Sequence, residues 1–332
     1  MTRPRVLFIS TGGTITMTQG AGPGMAPTLT GADLVRAVPQ LAHIADLEVV
    51  SFAQKPGASL TLEDLLGLAH LLNEQLAQGF AGAVVVQGTD TIEETAFVLD
   101  LLVASDRPVV VTGAMRGAAA PGADGPANLM SAVTVAVAPD IVGLGALVVL
   151  NDEVHAARHV QKMHTALASA FASPGFAPLA RVIEGRVRLY ARVPGRILIA
   201  VPVSAGDSPV ALLTVVLGDD GRLLQALPGL GYRGVVIEAL GAGHLPSLMA
   251  DRVAELSQSM PVILATRVAA GPVFTSTYGF AGSELDLIGK GAVPSGELSG
   301  PKACLLLRLL LAQGLQGATL VQAFARVRDG GV

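Results

Sequence analysis

Five hydroxyl side chains fall in two short glycine-bearing runs, Ser10-Thr11-Gly12-Gly13-Thr14 and Gln87-Gly88-Thr89-Asp90-Thr91. A threonine hydroxyl becomes a nucleophile once a base takes its proton. Glycine lets a ligand approach backbone N–H groups closely, and a following helix N-terminus favours a negative group there. Such runs suit an oxyanion or a carboxylate, and they point to threonine-based nucleophilic chemistry without a metal or cofactor. Each run also has an ordinary explanation. Ser and Thr at strand ends are common turn and N-cap residues, and Thr89-Asp90-Thr91-Ile92-Glu93-Glu94 is a sound helix start with acids in its first turn. Two such runs at neighbouring strand ends favour function but do not name a reaction. Histidine is the usual partner base; a lysine can serve where burial or a nearby cation destabilises its ammonium. The chain has only four lysines, Lys55, Lys162, Lys290 and Lys302. Lys162, in Arg158-His159-Val160-Gln161-Lys162, follows an apolar strand; the bland alternative is a solvated surface lysine.

Other chemistries find less support. His155 and His159 are spaced i, i+4 with His164 nearby, but residue 156 is alanine where a zinc peptidase motif carries glutamate. No metal is expected. Phosphate-loop and GxSxG patterns do not occur. One GxGxxG match, Gly229, Gly231 and Gly234, precedes an apolar strand instead of following one, which argues against a dinucleotide site.

Elements that could position the two runs are legible. Arg5–Ile9, Ala83–Val86, Pro108–Thr112 and Ala146–Leu150 are short runs apolar throughout, as strands buried on both faces require. Gly31–Val38, Leu62–Gln78 and Ile92–Ala104 read as helices, the second with Thr61 as N-cap ahead of Glu63 and Asp64. Ligands of parallel α/β sheets bind beyond the carboxyl ends of the strands, where both hydroxyl runs fall. After a Pro- and Gly-rich stretch come strands at 210–217, 234–239 and 261–265, with helices near 245–259 and 301–313. The expectation is a two-domain α/β protein: residues 1–191 as a larger, mostly parallel sheet with flanking helices, 192–209 as linker, and 210–332 as a smaller α/β domain.

Composition narrows the partners. Of 332 residues, 51% are hydrophobic and 14% charged, enough apolar material for a packed core and too few charges for a disordered chain. A net charge of −4 gives no basic footprint for nucleic acid, and 4% aromatics with no Trp leaves little for base stacking. The apolar stretch Leu129–Leu150 is broken by Pro139-Asp140 and Gly143, so it reads as helix, turn and strand instead of a membrane span. Val6–Ile9 is too short for a secretory apolar region, and the single cysteine, Cys304, cannot form an internal disulfide and is expected to be a buried thiol. A cytoplasmic protein is expected.

The two runs, extended to Thr11-Gly12-Gly13-Thr14-Ile15 and Gln87–Ala96, join Thr112-Gly113-Ala114-Met115-Arg116, Ala123-Asp124-Gly125-Pro126-x-Asn128-Leu129, Val149–Val154 and Tyr278-Gly279-Phe280-x-Gly282-Ser283-Glu284. As a set they resemble the bacterial-type L-asparaginases and glutaminase-asparaginases over essentially the whole chain. The resemblance implies hydrolysis of a side-chain amide through a threonine acyl-enzyme, with no cofactor. It implies Thr14 as nucleophile, Thr89 as a second threonine in contact with Lys162, and Asp90 as the carboxylate that holds the substrate α-amino group. Backbone N–H groups near Thr14, Gly88 and Thr89, with Ala114 nearby, would stabilise the oxyanion. Glu284, and His244 where many relatives carry Asn, would come from a neighbouring subunit of a homotetramer built as a dimer of dimers.

Two positions depart from the family pattern. Met25 stands about where the lid tyrosine belongs and can make no equivalent hydrogen bond. Gly57 takes the place of the serine that anchors the substrate α-carboxylate, with Ala58 and Ser59 following and Ser59 able to substitute if the loop shifts. A lost hydrogen bond to a charged group costs about 1.5–3 kcal/mol. The expected activity is L-asparaginase. The alternatives are the same machinery acting on glutamine, D-asparagine, an N-substituted asparagine or a small cyclic imide, and a non-catalytic binding protein on this fold.

Overall fold

The structure, a computed structural model, describes residues 2–330 apart from 14, 16, 20–24, 28 and 194. They form two compact units, Met1–Val201 and Pro202–Val332.

The N-terminal unit contains β1 (Arg5–Ser10), β2 (Met17–Gln19), β3 (Met25–Pro27), α1 (Gly31–Ala37), β4 (Asp46–Ser51), α2 (Leu62–Leu76), β5 (Gly82–Val86) and α3 (Ile92–Leu102). It continues through β6 (Val109–Thr112), α4 (Gly125–Ala136), β7 (Ala146–Leu150), β8 (Glu153–Ala156), β9 (Gln161–Lys162), β10 (Phe171–Ala172), β11 (Ala180–Ile183) and β12 (Arg186–Leu189). In β2 and β3 only the backbone is described. One eight-stranded sheet runs β12-β11-β8-β7-β6-β5-β1-β4. From β4 to β7 neighbouring strands are parallel, while β8, β11 and β12 extend the sheet antiparallel.

The apolar strands are buried on both faces because helices cover both. Val6, Phe8, Val84, Val86, Val110, Leu147 and Val149 pack on one side against Leu34 of α1 and Leu129, Ala132, Val133 and Ala136 of α4. On the other side lie α2 and α3. Thr61 caps α2 as expected: its Oγ1 accepts the Asp64 N–H (3.2 Å), and Asp64 Oδ2 accepts the Thr61 N–H (2.8 Å). Burial opposes ionisation of Asp64, but hydrogen bonds from Lys55 and Thr61 outweigh it and hold the carboxyl below its ordinary range.

Between β12 and β13 no regular element forms among the described residues. Within this stretch the Ile199 N–H donates to Leu101 O (3.0 Å), and Arg196 caps the carboxyl end of α3 by donating to the carbonyls of Asp100, Val103 and Ser105. Arg196 Nε also lies 3.2 Å from Asp100 Oδ1. Burial raises the Asp100 carboxyl, with Arg196 opposing. Arg196→Ala would remove the donors of these three carbonyls and leave the Asp100 carboxylate with the Ala146 N–H (3.0 Å) in place of its ion pair. A loss of about 3 kcal/mol is expected, read by calorimetry as a fall of roughly 10 °C in the unfolding midpoint of this unit.

The C-terminal unit holds β13 (Val210–Thr214), α5 (Arg222–Ala226), β14 (Gly234–Ala239), α6 (Ser247–Ser257), β15 (Val262–Thr266), α7 (Glu284–Gly289), β16 (Val293–Pro294), α8 (Gly300–Ala312) and α9 (Gly317–Arg328). Its four strands are parallel, in the order β13-β14-β15-β16. Val235, Ile237, Val262 and Leu264 pack with Met249 and Val253 of α6 and Leu287 of α7. Cys304 is half-buried, with Sγ 3.8 Å from Val210 O, and not the buried thiol expected: it lies on α8 next to buried Ala303 but one position off the fully buried stripe. Among the described residues, no helix is long and apolar enough to cross a membrane.

Candidate active site

At the carboxyl edge of the N-terminal sheet, three loops meet backbone to backbone. After β1, Thr11 donates to Val86 O through both its N–H (2.9 Å) and its Oγ1 (3.2 Å), which binds the first hydroxyl run to β5. Gly13, at φ +92°, lies so close to Gly88 that a Cβ would overlap the Gly88 N and Cα. The loop after β4 meets the same residue from another direction: a Cβ on Gly57 would stand 2.8 Å from Gly88 O. Thr91 Oγ1 donates to Gly57 O (3.0 Å), and Gln87 Nε2 lies 3.3 Å from both Thr91 Oγ1 and Gly88 O. Gly88 O can only accept, so the Gln87 amide must turn its NH₂ this way. Gly57 therefore occupies a position with no room for the expected serine side chain. Ala58 and Ser59 are exposed on the short turn Gly57–Ser59.

The second hydroxyl run turns directly into α3. Thr89 is 5% exposed. Lys162 reaches it from β9, with Nζ donating to Thr89 Oγ1 (3.0 Å) and to Asp90 Oδ1 (2.7 Å). The lysine side chain is 18% exposed and that of Asp90 66%, so Lys162 is not a free surface cation, while the aspartate stays open to a ligand. At its root, the Lys162 N–H donates to Glu93 Oε2 (3.0 Å). In the sequence Glu93 has the look of a helix-start acid, and no local pattern reveals a partner 69 residues away.

A fourth loop, after β6, is held from α4. Asp124 accepts the N–H groups of Met115 and Arg116 (both 2.9 Å). Asn128 Nδ2 donates to Gly113 O (2.9 Å), and its Oδ1 accepts the Asn151 N–H (2.9 Å). Ala114 is buried in the core alongside Ile15. The Asp-Gly-Pro-x-Asn motif thus acts as the brace for this loop.

Among the described residues no His, Cys, Asp or Glu cluster could hold a metal ion. The histidines go separate ways. His155 is buried with Nδ1 2.9 Å from Ser173 Oγ, and burial lowers its pKa against the opposing pull of Glu153. His159 stacks on Phe176, and His164 Nδ1 accepts the Ala166 N–H (3.0 Å).

Thr14 lies outside the described residues. Met25 is placed in β3 opposite Gln19, and its side chain is also outside them. His244 and Glu284 belong to the C-terminal unit, where they pair with each other: His244 Nε2 is 3.3 Å from Glu284 Oε2. Glu284 Oε1 accepts the N–H groups of Tyr278 (2.6 Å) and Thr277 (3.0 Å). Burial opposes ionisation of Glu284, but these donors and His244 together hold its carboxyl below the ordinary range. Tyr278 and Phe280 present their rings to the His244 imidazole at centroid distances of 4.9 and 5.1 Å.

Comparison with known proteins gives a consistent result along the chain. Residues 5–194 match the family described as Asparaginase, N-terminal, and residues 209–324 match the Glutaminase/Asparaginase C-terminal domain. A probable L-asparaginase of Deinococcus radiodurans is 37% identical over 331 residues, covering 97% of this chain and 98% of the relative. The L-asparaginase of Bacillus licheniformis is 34% identical over 319 residues, covering 94% and 97%. Among solved structures, a probable cytoplasmic L-asparaginase from Campylobacter jejuni superposes with a TM-score of 0.87 at 33% identity, covering 97% of this chain and 99% of the other.

Proposed function

This chain belongs to the asparaginase family of amide C–N hydrolases, and from that premise we propose that it hydrolyses the side-chain amide of L-asparagine to aspartate and ammonia. The observation that carries the residue roles is the Thr89–Lys162–Asp90 contact, in which one amine meets a buried hydroxyl and an exposed carboxylate. Asp90 holds the substrate α-ammonium. The Thr14 hydroxyl attacks the amide carbon, and the C–N bond breaks as ammonia departs with the hydroxyl's proton. This leaves an ester on Thr14, which water cleaves to release aspartate and restore the hydroxyl. Lys162 Nζ and Thr89 Oγ1 form the proton path, through which Thr89 relays protons to and from the reacting oxygen and nitrogen. Backbone N–H groups at the Gly13–Gly88 junction and near Ala114 face the developing oxyanion.

A second reading is favoured by one observation. Gly57 is pressed against Gly88 O, so no side chain there can grip an α-carboxylate. Ser59 is the hydroxyl of the turn Gly57–Ser59, and substrates that place their carboxylate differently become competitive. Ammonia or amine release from L-asparagine, D-asparagine, L-glutamine, N-substituted asparagines and small cyclic imides tests both readings. The highest kcat/KM is expected for L-asparagine. A tenfold advantage for another amide would establish the second reading, and no turnover of any would leave a non-catalytic binding protein. The same proposal includes cytoplasmic residence and a homotetramer of two dimers, in which His244 and Glu284 serve a neighbouring subunit. Fractionation and light scattering test these.

A further inference from the structure

Lys162 sits on an unusually slight support. β9 and β10 are two residues long, and the ladder consists of the pairs Phe171–Lys162 and Ala172–Gln161, extended by the Met163 N–H to Ala170 O (2.7 Å). A lysine amine hangs from its backbone by four methylene groups, so a small displacement of the root is passed to Nζ unless something fixes it. The Lys162 N–H does not join the ladder. It donates instead to Glu93 Oε2 at 3.0 Å.

That acceptor comes from the element that also holds the far end of the side chain. Thr89, Asp90 and Glu93 span the turn entering α3. The first two take Nζ at 3.0 and 2.7 Å, and the third takes the backbone N–H. The lysine is gripped at root and tip by one rigid helix start. An acid in the first turn of a helix is favoured for general reasons, and Glu94 satisfies those equally. Helix stability does not account for Glu93 turning its carboxylate onto a strand 69 residues along the chain.

We propose that Glu93 is a positioning residue for Lys162, fixing the backbone from which the amine reaches Thr89. The inference rests on the role proposed above for Lys162. It assigns Glu93 no contact with substrate: its effect passes through the lysine.

The test compares Glu93→Ala, Glu93→Gln and Glu93→Asp. Misplacement of a reacting group by about 1 Å can cost on the order of 100-fold in rate. Glu93→Ala is therefore expected to lower kcat by about 10- to 100-fold with KM changed less than about threefold. Glu93→Gln keeps an acceptor oxygen at the same reach and should recover most of the rate. Glu93→Asp keeps the charge and the helix start but falls one methylene short, and should lose kcat even if the alanine variant fails to fold.

In a Lys162→Met background the Glu93 substitutions should have almost no further effect on kcat, because the group they position is gone. Only four lysines are present, so 13Cε-lysine spectra give a second readout. The signal that Lys162→Met removes should shift in Glu93→Ala and Glu93→Asp, while those of Lys55, Lys290 and Lys302 stay in place. Unchanged kcat in Glu93→Asp, equal losses with and without Lys162, or movement of all four lysine signals together would overturn the proposal. Full activity of Lys162→Met would instead remove the role of the lysine itself, a separate outcome.

Discussion

Thr89→Val is expected to lower kcat by about a thousandfold or more while the protein remains folded. Valine keeps the shape of threonine and removes only Oγ1, the atom that receives Lys162 Nζ at 3.0 Å. The amine is not stranded, because it retains Asp90 Oδ1 at 2.7 Å. The stability cost is then bounded by one charge-assisted hydrogen bond, about 1.5–3 kcal/mol, which lowers melting by several degrees but leaves the chain native at room temperature. Lys162→Met should show a loss of similar size for the same reason seen from the other partner. If hydroxyl and amine act as one unit, the double variant will be hardly slower than either single. Single-turnover ammonia release, with melting curves alongside, reads all three. A Thr89→Val enzyme within tenfold of the parent, or losses that multiply in the double variant, would remove this pair from the mechanism.

The parts of this arrangement that could be read from sequence are those with local causes. Four uniformly apolar runs became β1, β5, β6 and β7 because helices cover both faces, and parallel strands deliver their following loops to one edge. Thr89 and Asp90 were therefore placed by the rule that governs such sheets. Thr61 and Asp64 identified their helix start because a capping box is complete within four residues. Elements held only by distant partners were silent. β4 is an edge strand whose half-exposed residues carry no continuous apolar run, and the Arg-Val-Arg-Leu strand β12 likewise exposes alternate residues to solvent. β9 is too short to show any period: its place after an apolar strand marks Lys162 as a candidate, likeness to known sequences supplies its contact with Thr89, and only the structure shows its attachment to Glu93. The Gly57 departure was visible as a residue type. The reason no side chain fits there, a carbonyl of another loop, was not.

A second close approach to Gly88, from the loop after β1, underlies the second large effect, expected for Gly13→Ala. Gly13 adopts φ +92°, a region that alanine enters only with strain of about 1–2 kcal/mol. Strain alone would leave the chemistry alone. What makes this position different is that the new Cβ would overlap the backbone N and Cα of Gly88, atoms that no rotamer change can move aside. The loops after β1 and β5 must separate, against the Thr11–Val86 hydrogen bonds that hold them together. Thr14 follows Gly13 and Thr89 follows Gly88 directly in the chain, so any separation moves both proposed reacting hydroxyls apart. A fall in kcat of about 100-fold or more is expected, with a melting loss larger than strain accounts for. Gly79→Ala provides the comparison: Gly79 has nearly the same backbone angle, φ +87°, with nothing within 4 Å of a new Cβ. It should lose about 1 kcal/mol and keep its kcat. If the two variants were equally active, the close approach of Gly13 to Gly88 would not be what spaces the two threonines, and positive φ alone would explain the glycine.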